Sequence, residues 1–383
     1  MSEHLGFSKG LAGVVADSTA ISQVQGEVGR LIYRGIPIEE LAKESNFEET
    51  AYFILFGKLP NQSDYNEFKN NLRNNRTLSQ EAQEIIANAP SKAHPMSILQ
   101  SVVASFAYDE LDFDIKNEDE NVKTAIKLVS QLSTAVANIS RVRQGLSLVP
   151  PRDDLNHAQN FLYMLHGQEA SSKEAHMFDT ALLLHIDHDL NASTFTGRVV
   201  ASTEAKLTTA ISAAIGALSG PLHGGANERV LAMADSIKEP SRAQEWTLNA
   251  IETHKKVMGF GHRVYRKMDP RAKVLRTMLE ELVSDKGGSK TYEILKIVHD
   301  TMIEALGQKQ KDYIWPNVDF WSGALYRLMR IEHIDFTPVF SVARVVGWCA
   351  HILEMWRDNR IFRPKAEYVG QKEQAYVPMP ERV

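Results

Sequence analysis

The chain has 383 residues, 43% of them hydrophobic, and a net charge of −5 from 43 basic and 48 acidic side chains. That length suggests about two domains with a large core, and the composition fits an ordinary globular protein. Mild acidity gives no reason to expect a nucleic-acid partner, while local cationic pockets could still hold anionic small molecules.

The opening MSEHLGFSKG lacks the basic stretch and apolar segment of a signal peptide. No apolar run approaches the roughly 20 residues that span a bilayer. Val14-Val15 and Leu31-Ile32-Tyr33, with turn residues between them, predict a small β hairpin. Beyond it the pattern is helical. Val122, Ile126, Val129, Leu132, Val136 and Ile139 recur at steps of three and four, until Gly145 and Pro150-Pro151 end the run. Similar patterns cover 206–218, 270–282, 292–306 and 338–356, and Gly287-Gly288-Ser289 predicts a loop between two helices. There is no internal repeat and no low-complexity segment. The expected fold class is mainly α, with helices buried against helices. Cys349, the single cysteine, rules out an intrachain disulfide. Its apolar neighbours predict a buried structural thiol, since a reactive one needs a polar, partly exposed setting. A reducing compartment, the cytoplasm, is the expected location.

Five segments carry candidate chemistry. In His185-Ile186-Asp187-His188 two histidines share a helical face, which raises a metal site. The pattern HExxH is absent and no third ligand is near, so a packed histidine pair and a substrate-contacting His188 stand beside the metal-site reading, which a metal hydrolase would use. In Ser219-Gly220-Pro221-Leu222-His223-Gly224-Gly225, one helix should stop at Gly220-Pro221 and another begin near Gly224. The positive end of the second helix would favour a neutral His223 able to donate to a forming oxyanion; a histidine placed by turn geometry is the alternative. Between Val257 and Arg271, Gly259 and Gly261 permit close backbone approach, and Arg263, Arg266, Lys267 and Arg271 crowd around His262. Such a run fits a multiply anionic substrate or a solvated basic turn. Asp269 reads as an N-cap and Pro270 as the first helical residue, which aims Arg271 outward. Asp319, among Val318, Phe320 and Trp321, reads either as an N-cap or as a desolvated carboxylate fit for general-base work. Arg344 falls mid-helix on the apolar face of Phe340 and Trp348, where an anion should meet it: a structural carboxylate or a substrate's. Arg363-Pro364 follows in an extended segment.

Together these segments resemble the citrate synthase family. The matches are His188 in HIDHDLNAS, His223 in GPLHGGANE, His262 through Arg271 in GFGHRVYRKMDPR, Asp319 in WPNVDFWSG, Arg344 in SVARVVGW and Arg363 in FRPKAEYVG. They occur in the family's order, and LIYRGIPIEELA and FILFGKLP extend the likeness to essentially the whole chain. The chain is most similar to the prokaryotic short-chain type. The resemblance implies an all-α homodimer with a large domain, 1–223 and 332–383, and a small mobile domain, 224–331, that closes over the site. It implies that oxaloacetate, acetyl-CoA and water give citrate and CoA. Asp319 would take a proton from the acetyl methyl, His223 would hold the enol oxygen, and His262 would polarise the oxaloacetate carbonyl. His188, Arg271 and Arg344 would bind oxaloacetate, joined by Arg363 from a second subunit. Lys256, Val257, Gly259, Phe260, Gly261, Arg266 and Asn317 would line the CoA site. Beyond acetyl-CoA as co-substrate, no cofactor, metal, nucleic acid or membrane is implied. The same motifs fit a 2-methylcitrate synthase using propionyl-CoA, because one methylene is worth only about 1–3 kcal/mol in a pocket. They also fit a non-catalytic sensor of CoA or dicarboxylates.

Overall fold

A computed structural model describes residues 8–110, 113–261, 265–308, 314–371 and 373–382. Near its start, strands β1 (Ser22–Gln25), β2 (Arg30–Tyr33) and β3 (Ile36–Pro37) form an antiparallel meander, with Ser22 opposite Tyr33 and Gln25 opposite Arg30. The hairpin is therefore present, but its first strand is not Val14-Val15, which lie outside any strand with Val15 89% exposed. Residues 26–29 close a short turn directly onto β2, with Gly29 at φ +68°. A short loop loses less entropy on closure than the longer one that Val14-Val15 would require.

The remaining regular structure is helical. The long helix Glu118–Arg143 starts where the Asn117 side chain accepts from the Glu120 N–H. It ends in a Schellman turn: Gly145 N–H donates to Val142 O, Leu146 N–H donates to Arg141 O, and Gly145 sits at φ +73°. The other periodic segments appear as Leu207–Leu218, Pro270–Asp285, Lys290–Gln308 and Phe336–Trp356, with left-handed Gly287 and Gly288 in the loop between the middle two.

Phe336–Trp356 is the core helix. Its sequence is apolar on nearly every side, and it packs against Phe47–Phe56, Glu118–Arg143, Ser172–His185, Ala192–Ala201 and Leu207–Leu218. With the turn before it, this helix is long and apolar enough to cross a membrane, contrary to the sequence expectation, but its apolar window is buried within the protein. Cys349 lies within it, fully buried, and burial pushes its thiol far above the usual range.

A second group of helices packs mainly on itself: Ala226–Ile237, Pro240–Glu252, Pro270–Asp285, Lys290–Gln308 and Val318–Leu328. Pro270–Asp285 also touches Ile38–Glu44 and Ser172–His185. Lys173 pairs there with Asp285 at 2.5 Å, and Lys286 with Glu174 at 2.8 Å. Farther along the same seam, Arg266 N–H donates to Gly26 O in the hairpin turn at 2.9 Å. Of the described candidates, His188, Arg266 and Arg271 lie along this seam.

Candidate active site

His223 stands in the turn 219–225 between Leu207–Leu218 and Ala226–Ile237. The turn is tight: Gly224 N–H donates to Leu218 O at 3.0 Å, and a Cβ on Gly224 would come within 2.5 Å of that oxygen. The helix start that governs the ring is not the one following it, as the sequence suggested. It is that of Ala192–Ala201, where Asn191 caps and the Ser193 N–H donates to His223 Nε2 at 3.2 Å. Nε2 is therefore an acceptor, and the ring proton belongs on Nδ1. Ser193 Oγ lies 2.8 Å from the same nitrogen and accepts from Trp348 Nε1 at 3.1 Å, which fixes the group against the core helix. Burial, then the nearby Arg344 guanidinium, pushes the His223 pKa down to about 4. The ring is neutral at pH 7 and has one N–H to offer.

Arg344 is buried in the core helix, its Nε donating to His185 O at 2.9 Å and its guanidinium 4.6 Å from the Phe340 ring centroid. Among the described residues no carboxylate forms an ion pair with it. Burial pulls its pKa down to about 10, against the attraction of Asp187, Tyr33 and Asp319. Arg271 is settled differently. Rather than pointing outward from its helix start, it is buried and bidentate with Asp269, at 3.0 and 2.8 Å. Burial opposes its charge, but Asp269 outweighs that and holds the pKa above the ordinary guanidinium value. Asp269 is also the predicted N-cap, accepting from Arg271 N–H, so one carboxylate serves the helix end and the guanidinium together.

The two histidines of the His185-x-x-His188 pair have different surroundings. His185 is buried, its Nδ1 donates to Ala181 O at 2.7 Å, and burial pushes its pKa down to about 3. His188 lies beyond the helix end, half-buried, edge-on to Tyr265 with ring centroids 5.5 Å apart. Among the described residues no three His, Cys, Asp or Glu side chains could hold a metal ion together.

Asp319 is the second residue of Val318–Leu328, and it is not the cap. Asn317 caps instead, its Oδ1 accepting the Asp319 N–H at 3.0 Å. The Asp319 carboxylate is thus released from capping. Burial pushes its pKa up to about 6; Arg271 and Arg344 pull it down, and Asp269 adds to the rise. Asp319, His223, Arg271 and Arg344 therefore share one electrostatic neighbourhood, with Arg344 common to all.

Asn317 ties this helix start to the glycine loop. Its N–H donates to Gly259 O, its Nδ2 to Gly261 O, and Gly261 N–H donates to Trp315 O. Phe260 bridges Pro316. Gly259, at φ +78°, is required by its own fold: a Cβ there would reach within 2.9 Å of Val230 and Phe320. Gly261 has open space beside it. Val257 and Phe260 are buried, whereas Lys256, Arg266 and Lys267 are exposed.

One predicted residue is not described, and another is not gathered here. His262, with its neighbour Arg263, lies outside the described residues. Arg363 lies exposed on the extended segment after the core helix, where its own side chain donates to Pro364 O. Sequence reasoning also missed Ser193, Tyr265 and the second role of Asp269. Only Asn191-Ala192-Ser193, a cap signal directly after His188, offered a clue to the first.

A profile described as "Citrate synthase, C-terminal domain" matches residues 10–365. The citrate synthase of Deinococcus radiodurans is 40% identical over 378 residues, covering 98% of this chain and 99% of that one. A 2-methylcitrate synthase of Mycobacterium tuberculosis is 36% identical over 371 residues, 97% of this chain and 92% of its own length.

The ternary complex of carboxymethyl coenzyme A and oxaloacetate with the citrate synthase of Thermoplasma acidophilum superposes with a TM-score of 0.93 at 34% identity. It covers 98% of this chain and 100% of that one.

Proposed function

The chain belongs to the citrate synthase family, and on that premise we propose how its cleft carries out the family reaction, the condensation of oxaloacetate with acetyl-CoA and water to citrate and CoA. The observation that carries the assignment of roles is that a carboxylate released from capping, Asp319, and a neutral imidazole, His223, whose remaining N–H is on Nδ1, both feel the charge of the buried Arg344.

Asp319 takes a proton from the acetyl methyl group, and His223 Nδ1–H donates to the thioester oxygen as negative charge gathers there. A carbon acid this weak needs both groups, since each supplies only a few kcal/mol of barrier lowering. The nucleophilic carbon then bonds to the oxaloacetate carbonyl carbon, whose oxygen His262 polarises and protonates. Water cleaves the thioester of the resulting citryl-CoA, leaving citrate and the CoA thiol. His188, Arg271 and Arg344 hold the oxaloacetate carboxylates. The ion-pairing capacity of buried Arg344, matched by no carboxylate among the described residues, supports its share. Imidazoles and guanidiniums supply the electrophilic stabilisation, so the reading invokes neither metal nor cofactor.

CoA lies along Lys256, Val257, Gly259, Phe260, Gly261, Arg266 and Asn317, with the open side of Gly261 admitting close backbone approach. The small domain, 224–331, closes on the remainder along the Tyr265–His188 and Arg266–Gly26 contacts. The working unit is a cytoplasmic homodimer. Among the described residues after the core helix, none before the single turn Met379–Glu381 is in a helix or strand, and Ile361, Tyr368, Val369, Tyr376 and Met379 are exposed, which suits an arm laid over a second copy. The partner subunit's Arg363 completes the oxaloacetate site.

Release of CoA thiol from acetyl-CoA, dependent on oxaloacetate, tests the reading; no release would sink it and favour a sensor. Running propionyl-CoA beside acetyl-CoA tests the acyl choice, which the 2-methylcitrate synthase relative keeps in view. The proposal expects the higher kcat/KM with acetyl-CoA.

A further inference from the structure

The segment that carries His188 is held from two sides by groups remote in sequence. Asp187 is fully buried. Its Oδ2 accepts from Ser22 Oγ at 2.5 Å, from His351 Nε2 at 3.1 Å and from the Asp189 N–H at 3.2 Å. Tyr33 brackets the same residue's backbone: its hydroxyl donates to Asp187 O at 2.9 Å and accepts from Asp187 N–H at 3.0 Å. Ser22 Oγ also accepts the Asp189 N–H at 2.9 Å. Ser22 and Tyr33 face each other across β1 and β2.

The opposite side is the core helix. Arg344 Nε donates to His185 O, and Gly347 lies so close that a Cβ on it would come within 2.4 Å of Ile186 O and 2.5 Å of Asp187 Oδ1. Behind Asp187, His351 Nδ1 lies 3.4 Å from Arg198 Nη1, and Arg198 pairs with Asp17 at 2.5 Å. A guanidinium can only donate, so Nδ1 accepts and the His351 proton on Nε2 is aimed at Asp187. This chain of bonds orients the carboxylate from behind.

Asp189, the residue after His188, has φ +54°, a left-handed conformation uncommon for non-glycine residues and more accessible to aspartate than to most. The two acceptors of its N–H, Ser22 Oγ and Asp187 Oδ2, hold it there. His188 therefore sits between two residues whose backbone is held, and its ring meets Tyr265 edge-on.

We propose that Asp187, oriented by His351 and clamped by Ser22 and Tyr33, is a positioning residue that sets His188 for oxaloacetate, so that the N-terminal hairpin is part of the substrate site's scaffold. The inference rests on the role given to His188 above, and it assigns Asp187 no contact with substrate.

The test is a double-mutant cycle read as the dissociation constant for oxaloacetate, with thermal melting and the KM for acetyl-CoA measured alongside. Asp187→Asn keeps the shape of the side chain and removes its charge; Tyr33→Phe removes only the bracket. Each is expected to weaken oxaloacetate binding by about tenfold, within the range for residues coupled through contact, while the acetyl-CoA KM stays within twofold. In a His188→Gln background, Asp187→Asn should have no further effect, because it acts through the ring already removed. Asp187→Asn binding oxaloacetate as tightly as the parent, or adding its full factor on top of His188→Gln, overturns the proposal. So does a loss that falls equally on both substrates with a lowered melting temperature. His188→Gln binding oxaloacetate normally is a separate failure, of His188's role itself, and a different variant reports it.

Discussion

Two places in this molecule hold buried carboxylates at helix starts, and they have been put to opposite uses. In the cleft, Asn317 caps the helix and the Asp319 carboxylate is left over. Some distance away, a cavity of about 380 Å³ is lined by Glu48, Asp179, Lys69 and Arg73. There Asp179 accepts the Phe47 N–H at 2.8 Å and Glu48 accepts the His157 N–H at 2.9 Å, so each carboxylate serves the first turn of a helix. Burial pushes Asp179 up to about 7, higher than Asp319 at about 6. A perturbed carboxyl beside a cavity is thus no sufficient mark of an active site. Asparagines cap the helices at both places, Asn317 in one and Asn46 and Asn156 in the other. What distinguishes Asp319 is that, among the described residues, no helix-start N–H donates to its carboxylate, while Arg271 and Arg344 act on its charge.

The sharpest way to break this contrast is to neutralise both carboxyls. Asp319→Asn should lower turnover by about 10³–10⁴-fold, at the upper end for a general base, with oxaloacetate still bound. Asp179→Asn should leave turnover within twofold. Steady-state assay of CoA thiol release reads both. Next in size, His223→Asn removes the oxyanion donor and should cost about 10²–10³-fold in kcat.

Proton linkage gives the third test. The working form of Asp319 is the anion, so kcat/KM for acetyl-CoA should fall as pH drops through about 6, while His223 stays neutral down to about 4. Stability runs the other way. Both carboxyls have folded-state pKa values raised above the ordinary 3.8, so the folded state binds the proton more tightly. Each charge therefore weakens the fold above its folded pKa, and the penalty fades as pH falls toward 3.8. Asp179→Asn should raise the melting temperature at pH 8, with the gain shrinking below about pH 7; a gain that grew on acidification would contradict this. The smallest effect belongs to Asn317→Ala, about 1 kcal/mol from the lost cap, with a raised KM for acetyl-CoA because the bond to Gly261 O goes too.

Much of this was legible in the sequence. The long helices announced themselves through three- and four-residue spacing and through Gly145 and the Gly287-Gly288 pair. Asp269-Pro270 announced a helix start. Lone residue types carried less. Nothing local says that Asp319 yields the cap to Asn317, since either residue can cap. The acceptor of the Ser193 N–H could not be read either, because that bond joins residues thirty positions apart across a packed interface. Val14-Val15 looked like a strand by propensity alone, and turn length decided against it. Arg271 looked exposed because a helix start is often solvated; its burial depends on Asp269 answering the charge.

The central claim is that Asp319 and His223 together enolise acetyl-CoA, and the direct measurement is exchange of the acetyl methyl protons with D₂O, followed by NMR. Malate would fill the oxaloacetate site without an electrophilic carbonyl, so that the enol can only be reprotonated. Deuterium should enter the methyl group with the parent protein, and not with Asp319→Asn or His223→Asn. Exchange at the parent's rate in Asp319→Asn would contradict the account.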